Sequence, residues 1–280
     1  MFQLSGFAAS PDTSPEVAGA IGVGIGIVVG TLLGRFVPKQ ASLAVKNRLP
    51  PYQPGQTPAL PSPNFGKNVH VYNPSELKSS YNLMISTVTP RPIALVSSRS
   101  KKSGVDNVSP FSYFGAVAHD PPMLAIGFCR KGRQARLQKD SLQNILERKE
   151  FCVNIMSEWY LEAANHSCGM WGPDVDEFVQ SGMTKGPCVE VDAPRVKEAA
   201  VSYECKVEHV YPVTDDNGNP TTEIVIARVI RVHVDQEVLA DHSDHESPVV
   251  DSSKLKPVGR LGGNTYCTIG EKIDMDRPSV

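Results

Sequence analysis

PRPIALVSSRSKKSGVDNVSPFSYFGAVAHDPPMLAIGFCRKGRQARLQKDSLQNILERKEFCVN, residues Pro90–Asn154, decides the fold. Ile93–Ser98, Val108–Phe114 and Met123–Phe128 are short runs rich in β-formers, and each is bounded by turn residues. The segment between the first two, SKKSGVDN, carries Gly104 where a turn needs positive φ. A basic loop then leads into a helix expected over Asp140–Arg148, with Asp140 or Ser141 as its cap and Gln143 three residues after Asp140. Phe151–Ile155 returns as a strand.

Downstream, Ser157–Ala164 and Asp174–Gln180 read as short helices, the second stopped by Gly182. Val201–Tyr211 and Glu223–Val234 are long strand runs joined by TDDNGNP, a hairpin signal around Asn217-Gly218. In the second run Ile224, Ile226, Ile230, Val232 and Val234 share one face, and Val225, Ala227 and Val229 share the other. Burial on both sides is therefore expected over part of its length. Upstream, Ser75–Ser80 reads as a short helix. Strands do not alternate regularly with long helices, no G-x-G-x-x-G follows a strand, and no P-loop occurs, so a Rossmann fold is not expected.

Before the globular sequence the chain changes character twice. Residues 1–16 form a short tail without Lys or Arg, and Val17–Gly34 is an uncharged run, VAGAIGVGIGIVVGTLLG. As a helix this run spans roughly 27 Å, enough for a thin bilayer. Gly22, Gly26, Gly30 and Gly34 would form a smooth ridge for close helix approach. Arg35, Lys39, Lys46 and Arg48 follow on one side only, which predicts a single-pass N-terminal anchor with the bulk of the chain in the cytosol. Residues 35–67 are basic and then proline-rich, a spacer, and 68–280 is the expected globular domain.

Formal net charge is −2, so no basic excess exists to neutralise a nucleic-acid backbone. The six cysteines include no C-x-x-C pair and read as small buried hydrophobes. His166 with Cys168, and DHSDHE at Asp241–Glu246, lack a full ligand set at known spacing, so no metal is expected from them.

Two constellations carry chemistry. Arg130, Lys131, Arg133, Arg136 and Lys139 precede a helix N-terminus whose amides and Ser141 hydroxyl could hold a phosphate, with Asp140 capping the helix or orienting a basic neighbour. Along the strand at Val108, alternation puts Asn107, Ser109 and Phe111 on one face, with Ser112 just beyond, a polar and aromatic strip suited to a flat ring.

Taken in order, PRPIALVSS, NVSPFSYF, PPMLAIGF, KDSLQNI, FCVNI, DEFVQSGMT, YEC and GRLGGNTY resemble the flavin reductase-like family, from about Tyr81 to Tyr266. Ser141 stands where the family usually has Thr, and Val108 where it often has Ala. The resemblance implies a mainly β FMN-binding split β-barrel with short helices, and a homodimer. It implies an FMN-dependent oxidoreductase that accepts hydride from NADH or NADPH and passes electrons to a flavin, oxygen or small organic acceptor. An oxygenase or reductase with its own organic substrate, and a non-catalytic flavin-binding protein, are the alternatives. Implied cofactor contacts are Lys139, Asp140 and Ser141 at the phosphate with Arg130 beside them, and Ser97, Ser98, Asn107, Ser109, Phe111 and Ser112 along the ribityl chain and ring. No side chain is expected to act as nucleophile or base.

Overall fold

The computed structural model describes residues 55–130, 137–275 and 277. The expected tail, anchor and first part of the spacer, and Lys131, Arg133 and Arg136, lie outside them. Among the described residues no helix is long and apolar enough to cross a membrane.

A short helix α1 (Tyr81–Thr87) precedes strand β1 (Arg91–Pro92). Then come β2 (Ala94–Arg99), β3 (Asp106–Phe111), β4 (Phe114–His119) and β5 (Pro122–Cys129). Helix α2 (Asp140–Arg148) leads to β6 (Glu150–Ile155). Helices α3 (Leu161–His166) and α4 (Glu177–Ser181) and the two-residue strands β7 (Lys185–Gly186) and β8 (Arg195–Val196) follow. The long strands β9 (Val201–Thr214) and β10 (Pro220–Val234) come next. Helix α5 (Ser252–Leu255), β11 (Val258–Arg260) and β12 (Tyr266–Thr268) complete the order.

Seven strands form one antiparallel sheet in the order β3-β2-β6-β9-β10-β5-β4. Its two edge strands, β3 and β4, are consecutive in the chain and separated only by Ser112 and Tyr113. Laid flat, those edges would be roughly 29 Å apart at a strand spacing of about 4.8 Å. The chain from Phe111 to Phe114 can reach only about 11 Å. The sheet must therefore curl until its edges meet, which makes it a barrel. One contact marks the closure: the Phe111 ring of β3 and the Phe128 ring of β5 lie 4.5 Å apart. No ladder joins β3 to β4 among the described residues, so the barrel is split.

Helix α2 fills the barrel. Leu142 and Ile145, three apart on one helix face, are buried with Ala94, Val96, Phe111, Phe128, Phe151, Val153, Val225 and Ala227. Strict alternation along β2 sends Ile93 and Leu95 the other way, into a second core with Val108, Met156, Phe178 and Val196.

The hairpin sits at Asn217-Gly218 as expected, with Gly218 at φ +79°, and Gly182 ends α4 at φ +71°. Three expectations shift. The strand expected over Val108–Phe114 breaks at Ser112-Tyr113, and Phe114–His119 is a separate strand. The helix expected at Ser75–Ser80 is one 3-10 turn at Pro74–Glu76, and the α-helix starts at Tyr81. On β10 only the inner face is fully buried. Ile224, Ile226 and Ile230 are half-exposed, because the covering helices pack over the β2–β3 side.

Asn154 is the polar hub of the sheet. Fully buried, it donates from Nδ2 to the Leu95 carbonyl (3.0 Å) and Ser97 Oγ (3.1 Å). Its Oδ1 accepts from the Val196 N–H (2.9 Å) and Ser202 Oγ (2.8 Å), so its hydrogen-bonding capacity is filled. At the start of β3, buried Asp106 accepts from Arg99 Nε at 2.7 Å and pairs with Lys185 at 2.7 Å. Burial pushes the Asp106 carboxyl up, but these two cations outweigh it and leave it below its ordinary value.

Asn154→Ala is expected to cost about 3 kcal/mol, because four buried partners lose their bonds together; urea denaturation measures it. Asp106→Asn is expected to cost about 2 kcal/mol near neutral pH, since both cations are partly solvated. A depressed carboxyl stabilises above its unfolded value. The difference between Asp106→Asn and the natural protein should therefore vanish as pH falls below 3.8 toward the lower folded value. Urea midpoints measured across that range test the sign.

Candidate active site

A cleft of about 290 Å³ opens where the barrel closes. One wall comes from the β3–β4 connection and the residue before α2: Phe111, Ser112, Tyr113 and Lys139. The opposite wall comes from the small sheet β1-β11-β12 and from α1: Arg91, Arg260, Tyr266 and Tyr81. Among the described residues, three cations and four aromatic rings line it, and no carboxylate does.

Each cation is positioned by a definite contact. Lys139 Nζ lies 4.7 Å from the centre of the Phe111 ring. The Arg260 guanidinium carbon stacks 4.3 Å over Tyr266 and its Nη2 donates to the Gly263 carbonyl at 2.8 Å. Arg91 is only 6% exposed. Its Nη1 donates to the Ile85 (2.6 Å) and Val88 (2.8 Å) carbonyls at the end of α1, and its Nη2 to the Leu261 carbonyl (2.9 Å). Its Nε reaches Ser112 Oγ at 3.4 Å. Four of the five guanidinium donors are thus engaged, all by neutral oxygens.

Arg91 and Arg260 are directly opposite each other in the antiparallel pairing of β1 with β11. Like charges so placed repel. A buried cation without a carboxylate, beside a second cation on the same cleft wall, is the electrostatic signature of an anion site. The rings around it favour a flat ligand.

The ten site residues expected from the sequence fall into separate groups. Phe111, Ser112 and Lys139 line the cleft. Ser98, Asn107 and Ser141 form the seam between α2 and the sheet: Ser141 Oγ donates to Asn107 Oδ1 at 2.5 Å, and Asn144 Nδ2 donates to Ser98 Oγ at 3.2 Å. Ser109 is half-buried between Asn107 and Phe111, on the same face of β3. Ser97 points to the opposite face of β2, into the Asn154 hub, because neighbours on a strand cannot share a face. Arg130 Nε donates to Glu223 Oε1 at 3.0 Å, across to β10.

The cap also differs from expectation. Lys139 is the N-cap and makes no side-chain capping bond, Asp140 is already the first helical residue, and Ser141 is turned into the seam. The first-turn amides of α2 are therefore not capped by the Lys139 side chain, which suits a phosphate at that end. Arg91, Arg260, Tyr266, Tyr81 and Tyr113 were not anticipated. Arg91 and Arg260 stand 169 positions apart, and only the pairing of β1 with β11 joins them.

The model of the flavin reductase like domain matches residues 85–251. An uncharacterized protein of Halalkalibacterium halodurans is 36% identical over 210 residues, which cover 74% of this chain and 96% of the relative. Among solved structures, nitrilotriacetate monooxygenase component B from Bacillus cereus superposes with a TM-score of 0.69 at 31% identity, covering 74% of this chain and 99% of that one. Pseudomonas fluorescens 2-nitrobenzoate 2-nitroreductase NbaA gives 0.64 at 27% identity, with 75% and 97% covered. The split barrel, the anion-seeking cleft at its seam and these matches agree, and the chain belongs to the flavin reductase-like family of flavin-related oxidoreductases.

Proposed function

We propose that the cleft binds FMN and that the protein oxidises NADH or NADPH, delivering the electrons to a small acceptor. The observation that carries this reading is the cross-strand pair Arg91 and Arg260 in an aromatic cleft with no carboxylate among the described residues. When bound, FMN supplies hydride acceptance and onward electron transfer. The protein's part is to hold and polarise. Lys139 and the first-turn amides of α2 take the phosphate. Phe111, Tyr113 and Tyr266 would bound a flat ring with apolar surface. Arg91 would offer positive charge to a flavin ring held in the cleft, and its three carbonyl anchors fix it before any ligand arrives.

The monooxygenase component among the neighbours supports electron delivery to a separate acceptor, and the nitroreductase supports a substrate reduced in the same cleft. In this proposal the chain acts as a homodimer. Support comes from the half-exposed residues Ile224 and Ile226 of β10 and from Tyr211, exposed opposite Ile224 on β9 (57%). Val17–Gly34 would tether it to a membrane, a reading supported by its uncharged length and the cations that follow.

The full chain, purified in detergent, is expected to show flavin absorption bands that bleach on adding NADPH or NADH under argon. A colourless protein that ignores added FMN would overturn the cofactor reading, and flavin bands that persist would overturn the reductase reading. Arg91→Met is expected to weaken FMN binding about tenfold or more, since a charge-assisted hydrogen bond is lost. Lys206→Met, at an exposed position on β9 away from the cleft, should leave it unchanged. Quenching of FMN fluorescence on titration reads both.

A further inference from the structure

Away from the cleft, the outer face is polar and roofed where β6 and the start of β9 meet the end of β10. Register places Cys152 opposite Glu204, Asn154 opposite Ser202, and Ser202 in turn opposite His233. These five residues therefore share one face. The segment after β7 crosses above them. It is tied down by the Val189, Glu190 and Val191 N–H groups, which donate to the Glu204 carboxylate at 2.7, 2.6 and 3.0 Å. Glu204 itself has no exposure. Its Oε1 also lies 2.5 Å from His233 Nε2. Cys188, the residue that begins this tied segment, is half-buried. One ligand atom each from Cys188, Glu204 and His233 lies within 4.8 Å of the others.

We propose that Cys188, Glu204 and His233 bind one divalent ion of the zinc class, which clamps the roof segment to the sheet. Sulfur, imidazole nitrogen and carboxylate oxygen make a borderline-soft donor set, which rejects calcium and magnesium and suits zinc or cobalt. Three protein ligands leave a fourth tetrahedral position. Access to it is available, because Cys188 also lines an open cleft of about 320 Å³ with Arg99, Lys185 and Asp192.

The exchange of partners balances. The ion enters between Glu204 Oε1 and His233 Nε2, replacing the hydrogen bond between them. Glu204 Oε2 keeps the Glu190 and Val191 donors. The Cys188 thiol releases its proton to solvent and binds as thiolate.

Cobalt(II) titrated into the full chain, freed of metal by chelation, tests this. The expected result is saturation at one ion per chain, with a thiolate-to-cobalt charge-transfer band in the near ultraviolet that zinc displaces. Cys188→Ser should abolish the band. His233→Ala should weaken cobalt binding by at least about tenfold, since even outer-shell losses cost that much, while far-ultraviolet circular dichroism stays unchanged. A natural protein that gives no thiolate band would overturn the site without recourse to any variant. A band that survives in Cys188→Ser would overturn it equally, by placing the ion on another cysteine. FMN binding at the barrel seam is independent of either result.

Discussion

Two residues, Ser112 and Tyr113, join the edge strands of a seven-stranded sheet, and chain length alone forbids that sheet from lying flat. Much else depends on this tether. Curling creates the interior that Leu142 and Ile145 of α2 fill. It brings Phe111 against Phe128 at the seam. It also leaves the seam incompletely paired, and the cleft opens there, beside the N-terminal end of α2. A continuous ladder between β3 and β4 would have used the same backbone groups for hydrogen bonds and left less room for a ligand.

The buried charges show three different solutions to one problem, the cost of removing an ion from water. Asp106 is matched by cations, Arg99 and Lys185, and belongs to the framework. Glu204 is matched chiefly by backbone N–H donors, and so serves as an anchor for the segment above it. Arg91 is matched only by neutral oxygens, three carbonyls and the Ser112 hydroxyl, with Arg260 opposite on the next strand. Carbonyl dipoles orient a guanidinium without neutralising it, so of the three only Arg91 keeps a field directed at the cleft. That asymmetry separates the site from the scaffold more clearly than residue type does.

Local signals were legible where a residue's backbone preference decides the outcome. Gly182 and Gly218 stop a helix and turn a hairpin because positive φ is nearly free for glycine. The alternation of Asn107, Ser109 and Phe111 against Val108 follows from the pleat. The same rule, applied to Ser97 and Ser98, separates them onto opposite faces. The break between β3 and β4 was not legible, because Ser112-Tyr113 in SPFSYFGAV interrupts neither the β-propensity nor the apolar pattern. The cap of α2 was misplaced because Ser141 had two partners to choose from, the helix backbone and Asn107. Only the proximity of β3 decides between them.

By itself, then, the sequence determined the long strand runs and the glycine turns, the helix that follows the basic loop, and through its ordered motifs the family. These depend on local dihedral preference and on periodicity, which neighbouring residues carry. The tertiary structure decided which polar residues meet. Arg91 faces Arg260, Asn154 gathers Ser97 and Ser202, and Cys188 comes to Glu204 and His233. Each of these meetings joins segments distant in the chain. They are set by barrel closure and strand register, which are properties of the whole packed sheet.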